Sequence, residues 1–337
     1  MNIQENISLQ RLNTFGIARN ARFFTIVGSS ESLAEALSWA KDRNEKVLIL
    51  GGGSNILLTA DFNGLVIKME IQGIELIAED DAHYWVKVGA GVIWHDLVSY
   101  AIDHNWAGLE NLSLIPGTVG ASPMQNIGAY GVEIQDVFES LEALEKATLR
   151  IKTFSKQDCK FGYRESVFKN ELKDQYIICS VIFKLKKKPD LNIEYGAIRD
   201  VLKEKGIDQP GIREISEAVI AIRTSKLPDP KVIGNAGSFF KNPTILTSQF
   251  NELKTVFPEI PGYILNEGVK VPAGWLIEQA GWKGKRFGEV GVHSKQALVL
   301  VNYGNGKGED IISLAQQIQQ SVMEKFGIQL QPEVNFI

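Results

Sequence analysis

Apolar residues in the first part of the chain alternate between helical and strand spacing. Leu33, Ala36, Leu37 and Ala40 fall on one face of a helix predicted over residues 32–43, and the run KVLIL that follows is typical of a buried strand. The same periodicities recur later, predicting strands over residues 64–69, 84–91, 176–187 and 297–304 and helices over residues 93–104, 213–226 and 308–327. This mixture predicts an α/β or α+β fold.

The length of the chain calls for more than one hydrophobic core. A chain of 337 residues is longer than a single ordinary core supports, so we expect two or three domains. The segment LPDP follows the predicted helix at 213–226, and the residue before a proline disfavours helical geometry. We therefore predict a domain boundary near residues 225–232.

Composition and charge exclude several functional classes. With 36 basic and 40 acidic residues the net charge is −4, which lacks the basic footprint of a nucleic-acid-binding protein. No apolar run approaches the length that crosses a bilayer, so no membrane partner is expected. The N-terminal segment carries Glu5 and has no apolar core of a secretory signal. We expect a cytoplasmic protein and, by default, a monomer.

Cysteine and histidine give no sign of a metal site. Cys159 and Cys179 are too few and too isolated for a disulfide framework or a metal cluster, and lone cysteines mostly act as small buried apolar residues. No metal-ligand spacing connects the four histidines, which are His83, His95, His104 and His293. No bound metal is predicted.

The predicted strand KVLIL runs directly into GGGSN, residues 51–55. Its glycines allow backbone N–H groups to approach and surround a phosphate. The dinucleotide fingerprint fails, because Ile56 occupies its last glycine position and the following residues have strand and loop character. The segment fits either a phosphate-binding loop or a plain tight turn.

A second glycine-rich segment, IPGTVGASPMQNIGAYG, covers residues 115–131. It has four glycines among small and amide residues, which suits neither an ordinary helix nor a strand. Its backbone amides, with Thr118, Ser122, Gln125 and Asn126, can line a groove for a long polar ligand. A long irregular segment inside a compact domain is usually functional, so binding is favoured over a linker.

The stretch GNAGSFFKNP, residues 234–243, places Ser238 between a glycine and a Phe-Phe pair. Ser238 and Lys241 form an S-x-x-K pattern, which serves a serine nucleophile only when a helical turn brings both side chains together. Two glycines and Pro243 disfavour a helix, and the companion S-D-N and K-T-G triplets are absent. The nucleophile is therefore disfavoured, and a structural turn serine or a different catalytic role remains.

Seven segments follow one another in a fixed order along the chain. They are LNTFGIARNA, ILGGGSNILL, GLENLSLIPGTVGASPMQNIGAYGVE, KFGYRES, RTSKLPDPKVIGNAGSFFKNP, AGWLIEQAGWKG and LQPEV. Together they resemble the UDP-N-acetylenolpyruvoylglucosamine reductases of peptidoglycan precursor synthesis, and the likeness runs from about residue 10 to the C-terminus. The order and number of the motifs make the resemblance specific.

The resemblance implies an α+β fold, with an FAD-binding fold of the vanillyl-alcohol-oxidase type and a C-terminal α+β substrate domain. The implied limits are residues 1–70 and 71–222 for two FAD-binding subdomains, 223–325 for the substrate-binding domain and 326–337 for a C-terminal segment that returns to the active site. The implied reaction uses non-covalent FAD and NADPH to reduce UDP-N-acetylglucosamine enolpyruvate to UDP-N-acetylmuramate.

The same resemblance implies the residues of the site. The catalytic positions are Arg164, Ser238 and Glu333. The cofactor-binding positions are Gly51, Gly52, Gly53, Ser54, Asn55, Pro116, Gly117, Thr118, Gly120, Ala121, Ser122, Asn126, Ile127, Gly128, Ala129 and Tyr130. The substrate-binding positions are Tyr195, Arg223, Lys226, Asn242, Tyr263 and Gln296.

Elementary chemistry explains the three catalytic residue types. Hydride addition to an enolpyruvyl group pushes negative charge onto its carboxylate, which needs a fixed cation and a hydrogen-bond donor. Arg164 supplies a permanently charged fork, and Glu333 is a donor if it is protonated, a state that burial favours by raising a carboxyl pKa. Ser238 suits the role of proton donor to the strongly basic carbon. Without the motifs, an ion-paired arginine and a solvated glutamate would be the simpler readings.

Three hypotheses follow from these residues. The first is the NADPH-dependent flavin reductase, for which Arg223 and Lys226 suit a diphosphate substrate in a protein of negative net charge. The second is a flavin oxidase of the same fold that acts on alcohols or sugars, and the third is a non-catalytic UDP-sugar-binding protein. NADPH has no separate fingerprint, so we expect it to alternate with the sugar substrate in one cleft.

Overall fold

A computed structural model describes residues 1–337 and contains eight α-helices and twenty strands. The helices are α1 Ser30–Asp42, α2 Trp94–Asp103, α3 Lys156–Cys159, α4 Gly196–Glu204, α5 Ile212–Lys226, α6 Thr247–Val256, α7 Ala273–Gln279 and α8 Gly308–Phe326. The strands are β1 Gln4–Ser8, β2 Asn20–Val27, β3 Val47–Leu50, β4 Ile56–Leu57, β5 Phe62–Met69, β6 Ile74–Glu79, β7 His83–Gly89, β8 Gly128–Ala129, β9 Val132–Glu133, β10 Phe138–Glu145, β11 Ile151–Ser155, β12 Tyr176–Lys186, β13 Gly234–Asn235, β14 Thr244–Ile245, β15 Tyr263–Leu265, β16 Gly268–Lys270, β17 Arg286–Phe287, β18 Val290–Val292, β19 Leu300–Asn302 and β20 Asn335–Phe336. Single turns of 3-10 helix occur at Gln10–Leu12, Glu110–Leu112, Val119–Ala121, Pro123–Gln125, Ile134–Asp136 and Val167–Lys169.

The chain forms two compact units. Unit 1 comprises Met1–Ile7, Ala21–Gly52 and Phe62–Ser225, and unit 2 comprises Ser8–Asn20, Gly53–Asp61 and Lys226–Ile337. One change of unit falls between Ser225 and Lys226, where α5 ends and the prolines of LPDP follow. The subdomain limits implied at residues 70, 222 and 325 stay predictions.

The first sheet of unit 1 has the strand order β1-β2-β5-β3, and α1 packs on it. Strands β2 and β3 both pair with β5 in parallel, and α1 provides the crossover between them. Helix α1 begins at a capping box formed by Ser29 and Ser32, which satisfies backbone N–H groups of the first turn. Its buried face consists of the four residues predicted from the sequence, and each fully buried leucine contributes about 1.5–3 kcal/mol.

The second sheet of unit 1 is antiparallel, with the order β11-β10-β12-β7-β6. Helix α2 buries an apolar face in the same core, and the ring of its fully buried Trp94 lies 5.8 Å from that of Phe183 in β12. A smaller apolar cluster joins α4 to α5 through residues such as Ile198 and Val219. This sheet and its helices form the frame that carries the second glycine-rich segment.

Unit 2 contains an antiparallel sheet of order β13-β19-β18-β17, a three-stranded sheet of order β14-β16-β15 and the parallel pair β4–β20. Helix α8 packs on β18 and β19 and ends at Gly327, whose φ of 64° is the left-handed conformation of a glycine C-cap. Its last residue, Phe326, contacts the rings of Phe257 and Trp275. None of the helices in the structure combines the length and apolar character needed to span a bilayer.

The strongly periodic predictions are confirmed, and the fold is α+β. Each predicted helix and strand occurs, with limits that differ by a few residues. Residues 234–243 contain no helix, which removes the geometry that an S-x-x-K nucleophile needs, and GGGSN is followed by strand β4 instead of a helix. The sequence did not assign β10, β11, α4, α6 or α7, whose patterns are shorter or more polar.

Candidate active site

The two glycine-rich segments meet within unit 1. A Cβ added to Gly51 would lie 2.6 Å from Oγ1 of Thr118, and one added to Gly52 would lie 2.9 Å from Cα of Gly117. Real Cβ atoms essentially never come so close, so Gly52 approaches the backbone of Gly117, and Gly51 approaches the side chain of Thr118, at distances that only glycine permits. The amides of both segments therefore belong to one glycine-lined surface, the kind of cradle that binds a diphosphate through backbone groups.

Backbone hydrogen bonds fix the second segment to its frame. The N–H of Val119 donates to the carbonyl of Val92 at 2.9 Å, and the N–H of Gly120 donates to that of Ala90 at 2.9 Å. The N–H of Trp94, at the start of α2, donates to Gly117 at 3.0 Å. These bonds tie the loop to the end of β7 and the start of α2, two rigid elements.

Two polar side chains predicted to bind the cofactor are used inside the protein. Ser122 is 1% exposed and donates to the carbonyl of Val119 at 2.7 Å. Asn126 is fully buried, donates to Glu133 at 2.8 Å and to the Gly162 carbonyl at 3.1 Å, and accepts from a backbone N–H. Both side chains hold the loop in shape, and their hydrogen-bonding groups are used within the protein.

Arg164 lies in a tight turn, and its guanidinium reaches the hairpin β8–β9. It donates from Nη2 to the carbonyl of Gly128 at 2.8 Å, and its guanidinium carbon lies 5.5 Å from the centre of the Tyr163 ring. The φ of Arg164 is 58°, a left-handed conformation that costs a residue with a side chain about 1–2 kcal/mol. Backbone strain at a predicted catalytic arginine is typical of a functional position.

Arg223 on α5 is turned toward the second glycine-rich segment. Its Nε donates to the carbonyl of Leu114 at 3.2 Å, and its guanidinium hydrogen-bonds the Tyr130 hydroxyl. Burial lowers the pKa of Arg223, and the Tyr130 hydroxyl acts in the opposite direction. Burial also raises the pKa of Tyr130. The ring of Tyr195, predicted to cover the substrate, stands edge-on to that of Tyr130 at 5.1 Å.

A histidine that the sequence did not single out supports the same segment. The φ of Leu114 is 57°, and its N–H donates to Nδ1 of His95 at 3.0 Å. Nδ1 must then be unprotonated, which is the neutral form of the ring. Burial lowers the pKa of His95, Asp96 opposes this shift, and the charge of Arg223 reinforces it. No spacing in the sequence indicates this contact.

In unit 2, Ser238 and Glu333 lie on neighbouring backbone segments. The N–H of Glu333 donates to the carbonyl of Phe239 at 2.8 Å, and the N–H of Lys241 donates to that of Gln331 at 2.9 Å. Phe239 is fully buried, whereas Ser238 just before it is exposed. The buried aromatic anchors this segment and leaves the serine hydroxyl at the surface of unit 2.

The end of the first glycine-rich segment holds Glu333 from its other side. Nδ2 of Asn55 donates to the backbone carbonyl of Glu333 at 3.3 Å. The backbone carbonyl of Asn55 accepts two hydrogen bonds from Asn335, one from its backbone N–H at 3.1 Å and one from its side-chain Nδ2 at 3.0 Å. The residues that follow form the parallel pair β4–β20. Gly53, with φ 62°, would collide with the carbonyl of Leu12 if it carried a side chain.

Two predicted substrate-binding residues lie at the start of α7. Oδ1 of Asn242 accepts from the N–H of Ala273 at 2.9 Å, and Oε1 of Gln296 lies 3.0 Å from a Cβ built on Gly274. Tyr263 is 58% exposed on β15 with the ammonium of Lys270 near its ring, and Lys226 is exposed at the end of α5. Unit 2 thus brings Asn242 and Gln296 together and leaves Tyr263 available to solvent.

Each unit therefore gathers part of the predicted set. Unit 1 brings Arg164, Tyr195 and Arg223 to the second glycine-rich segment, and unit 2 pairs the backbone of Phe239, next to Ser238, with that of Glu333. The remaining predicted cofactor positions Pro116, Ala121, Ile127 and Ala129 lie in the same segment of unit 1, and Ser54 lies beside Asn55 in unit 2.

Family models match both parts of the chain. A model described as "FAD binding domain" matches residues 21–153, and one described as "UDP-N-acetylenolpyruvoylglucosamine reductase, C-terminal domain" matches residues 229–337. A protein named UDP-N-acetylenolpyruvoylglucosamine reductase from Flavobacterium johnsoniae is 55% identical over 339 residues, covering 100% of each chain. One of the same name from Pseudomonas aeruginosa is 47% identical over 336 residues, covering 99% of each.

Among solved structures, the crystal structure of UDP-N-acetylenolpyruvylglucosamine reductase from Thermus caldophilus is similar over the whole chain. The TM-score is 0.71 at 25% sequence identity, and the alignment covers 100% of this chain and 99% of the other.

Proposed function

Because the chain belongs to the UDP-N-acetylenolpyruvoylglucosamine reductase family, we propose that Arg164, Ser238 and Glu333 carry out the chemistry of that family here. The chain is an FAD-dependent oxidoreductase of peptidoglycan precursor synthesis that uses NADPH to convert UDP-N-acetylglucosamine enolpyruvate to UDP-N-acetylmuramate. Its fold is the FAD-binding fold of the vanillyl-alcohol-oxidase type with a C-terminal α+β substrate domain.

The glycine-lined surface of unit 1 fits FAD. A side chain on Gly52 would meet the backbone of Gly117, and one on Gly51 would meet the Thr118 hydroxyl, so the close approach of the two segments depends on glycine at both positions. Bound FAD supplies the hydride that adds to the enolpyruvyl group. We assign the residues 51–55 and 116–130 named above to holding it without a covalent bond.

Arg164 stabilises the carboxylate of the enolpyruvyl group as negative charge develops there. A guanidinium offers two parallel N–H donors that match a carboxylate, and its charge persists at every physiological pH. The bond from Arg164 to the Gly128 carbonyl fixes one end of the fork beside the predicted flavin segment. Orientation set before substrate arrives reduces the reorganisation needed in the reaction.

Glu333 donates a second hydrogen bond to the same carboxylate. A carboxylic acid does this only when it is protonated, so the role requires the neutral form of Glu333 in the working enzyme. The backbone of Glu333 is held on one side by Phe239 and on the other by Asn55. These contacts fix the position of the Glu333 Cα atom, from which the side chain extends.

Ser238 delivers the proton to the carbon that becomes the lactyl centre. Its hydroxyl is exposed on unit 2, and the buried Phe239 next to it fixes the backbone. The carbon is a strong base once hydride has been added, so a weakly acidic hydroxyl suffices. Asn242 and Gln296 at α7, with Lys226, Arg223 and Tyr263, orient the UDP-sugar, and Tyr195 covers it.

The observation that carries this assignment is the backbone pairing of Phe239 with Glu333, which puts Ser238 and Glu333 on neighbouring segments of unit 2. We test it by separating the two half-reactions in stopped flow. In Ser238→Ala, NADPH should bleach the flavin absorbance at the normal rate, whereas reoxidation by the enolpyruvyl substrate should slow by about 10²–10⁴-fold.

The matched control is Ser248→Ala, which removes another exposed hydroxyl of unit 2. It should leave both half-reactions unchanged. Normal reoxidation in Ser238→Ala would rule out the serine as proton donor. We further propose that the protein works in the cytoplasm as a monomer, and sedimentation at micromolar concentration tests the oligomeric state.

A further inference from the structure

The hairpin that joins β8 to β9 contains an unusual turn. Its two central residues are Tyr130, with φ 51°, and Gly131, with φ 80°. Two positive φ values are the signature of a type I′ turn, which favours asparagine or glycine at its first central position. A tyrosine there costs about 1–2 kcal/mol, so other contacts must hold the turn.

Two asparagine side chains bind the two carbonyls of this turn. Nδ2 of Asn111 donates to the carbonyl of Tyr130 at 3.3 Å, and Nδ2 of Asn192 donates to that of Gly131 at 3.2 Å. Asn111 is 2% exposed, and burial of an amide without such partners would be costly. The strained turn is therefore held through the carbonyls of both of its central residues.

Asn111 also binds the segment of Asn192, and Asn192 shapes that segment from within. Nδ2 of Asn111 donates to the backbone carbonyl of Asn192 at 2.9 Å. Oδ1 of Asn192 accepts from the N–H of Glu194 at 3.3 Å, which shapes the chain just before Tyr195. Three segments, around residues 111, 130 and 192, are thus joined by side-chain amides.

The ring contact of Tyr195 cannot by itself fix this segment. Tyr195 is 50% exposed and meets Tyr130 only edge-on, at 5.1 Å. Such an aromatic pair contributes about 0.5–1.5 kcal/mol, similar to the entropy cost of ordering one residue. The amide contacts of Asn111 and Asn192 supply the additional restraint.

We propose that Asn111 and Asn192 are positioning residues that fasten the segment of Tyr195 to the Tyr130–Gly131 turn. The inference deepens the proposed function, since it rests on Tyr195 covering the UDP-sugar. The two asparagines set the distance of Tyr195 from the hairpin whose Gly128 carbonyl binds Arg164. Their loss should weaken substrate binding, because it releases the segment of Tyr195 from the turn.

The test uses the FAD-bound full chain with Asn192, because this residue is half-exposed and its variants should fold. Asn192→Ala removes both hydrogen bonds of the side-chain amide, so amide hydrogen exchange over residues 192–196 should accelerate at least about tenfold. In Asn192→Asp the donor becomes a charged acceptor facing the Gly131 carbonyl, and the acceleration should be larger. The control Asp190→Asn breaks only an exposed ion pair with Lys186 in the same segment and should change neither exchange nor KM.

A double-mutant cycle separates positioning from general destabilisation. Asn192→Ala and Tyr195→Ala should each raise KM for the UDP-sugar by about tenfold with little change in kcat, which is the mark of lost ground-state binding. The double variant should match Tyr195→Ala alone, because Asn192 acts through that ring.

The inference would be overturned if the increase in KM of the double variant equalled the product of the two single increases. It would also be overturned if both Asn192 variants left amide hydrogen exchange unchanged. A normal KM in Tyr195→Ala would instead reject the proposed role of Tyr195, and the exchange data would still decide whether the asparagines hold the segment.

Discussion

Glu333 donates its backbone N–H to the carbonyl of Phe239 at 2.8 Å, so the glutamate and the residue after Ser238 belong to one backbone pairing. The proposed proton donor and the proposed carboxylate-binding residue thus lie on paired backbone segments of unit 2. Shared support of this kind limits how far the two side chains can drift apart, and catalysis depends steeply on such placement.

Replacement of Glu333 should reveal whether it acts as a hydrogen-bond donor. Glu333→Ala removes the donor and should lower kcat by about 10²–10³-fold. Glu333→Gln keeps an N–H donor at every pH, so it should retain at least about ten times more activity than the alanine variant. Steady-state kinetics measure both, with Gln331→Ala as an exposed control in the same segment. Equal losses in the two variants would contradict the donor role.

Replacement of Arg164 should separate its strained backbone from its charge. Arg164→Ala and Arg164→Gly lose the same guanidinium, and both should lower kcat by about 10²–10³-fold. At φ 58° glycine carries no steric penalty, so the glycine variant should be about 1 kcal/mol more stable than the alanine variant. Thermal unfolding of the two variants checks this difference, and greater stability of the alanine variant would argue against strain at this residue.

Addition of a methyl group to Gly52 should weaken FAD binding. Its Cβ would lie 2.9 Å from Cα of Gly117, so Gly52→Ala must push the two glycine-rich segments apart. We expect the flavin absorbance to be lost on gel filtration and the dissociation constant for FAD to rise by at least about tenfold, since the affected contacts are backbone hydrogen bonds. Gly73→Ala is a useful comparison, because open space surrounds that residue although its φ of 116° adds strain. It should destabilise the protein without weakening FAD binding.

The stability of the protein should decrease below neutral pH in part through His95. Burial lowers the pKa of His95 below its ordinary 6.5, so between the two values the unfolded chain binds more protons than the folded one. Stability therefore rises with pH through this window and falls as pH drops below about 6.5. Protonation of Nδ1 would also break the bond from the N–H of Leu114.

His95→Gln tests this pH dependence. The variant can keep an acceptor for Leu114 but cannot titrate, so its melting temperature should fall less between pH 7.5 and 5.5 than that of the parent protein. His104→Gln, at an exposed histidine, should retain the parent's slope. An undiminished slope in His95→Gln would show that other groups carry the effect.

Much of the candidate site was predictable because its signals are local. The glycines within residues 51–53 and 115–131 indicate segments whose backbones approach other atoms closely. The Phe-Phe pair after Ser238 indicates a buried anchor. The exclusion of a helix at 234–243 followed from glycine and proline alone. By contrast, α4, α6 and α7 have short or polar patterns, and their helical state depends on partners elsewhere in the chain.

Hydrogen bonds between segments far apart in sequence could not be predicted from the pattern of polar and apolar residues. Nothing in the local pattern distinguishes Asn111, Asn192 and His95 from ordinary polar residues. Folding brings Asn111 to the Tyr130 carbonyl, Asn192 to the Gly131 carbonyl and His95 to the N–H of Leu114. For Ser122 and Asn126 the sequence indicated ligand contacts, whereas in the structure both side chains hydrogen-bond to other groups of the protein.

The amino-acid sequence by itself determined the main helices and strands, the two glycine-rich segments and the residue types of the chemistry, because spacing and backbone permissiveness act over a few residues. Tertiary structure alone decided which carbonyl each buried amide reaches, which arginine conformation is strained and which serine stands beside Glu333. A hydrogen bond depends on atoms within about 3 Å, and only the folded backbone brings segments far apart in sequence to that distance.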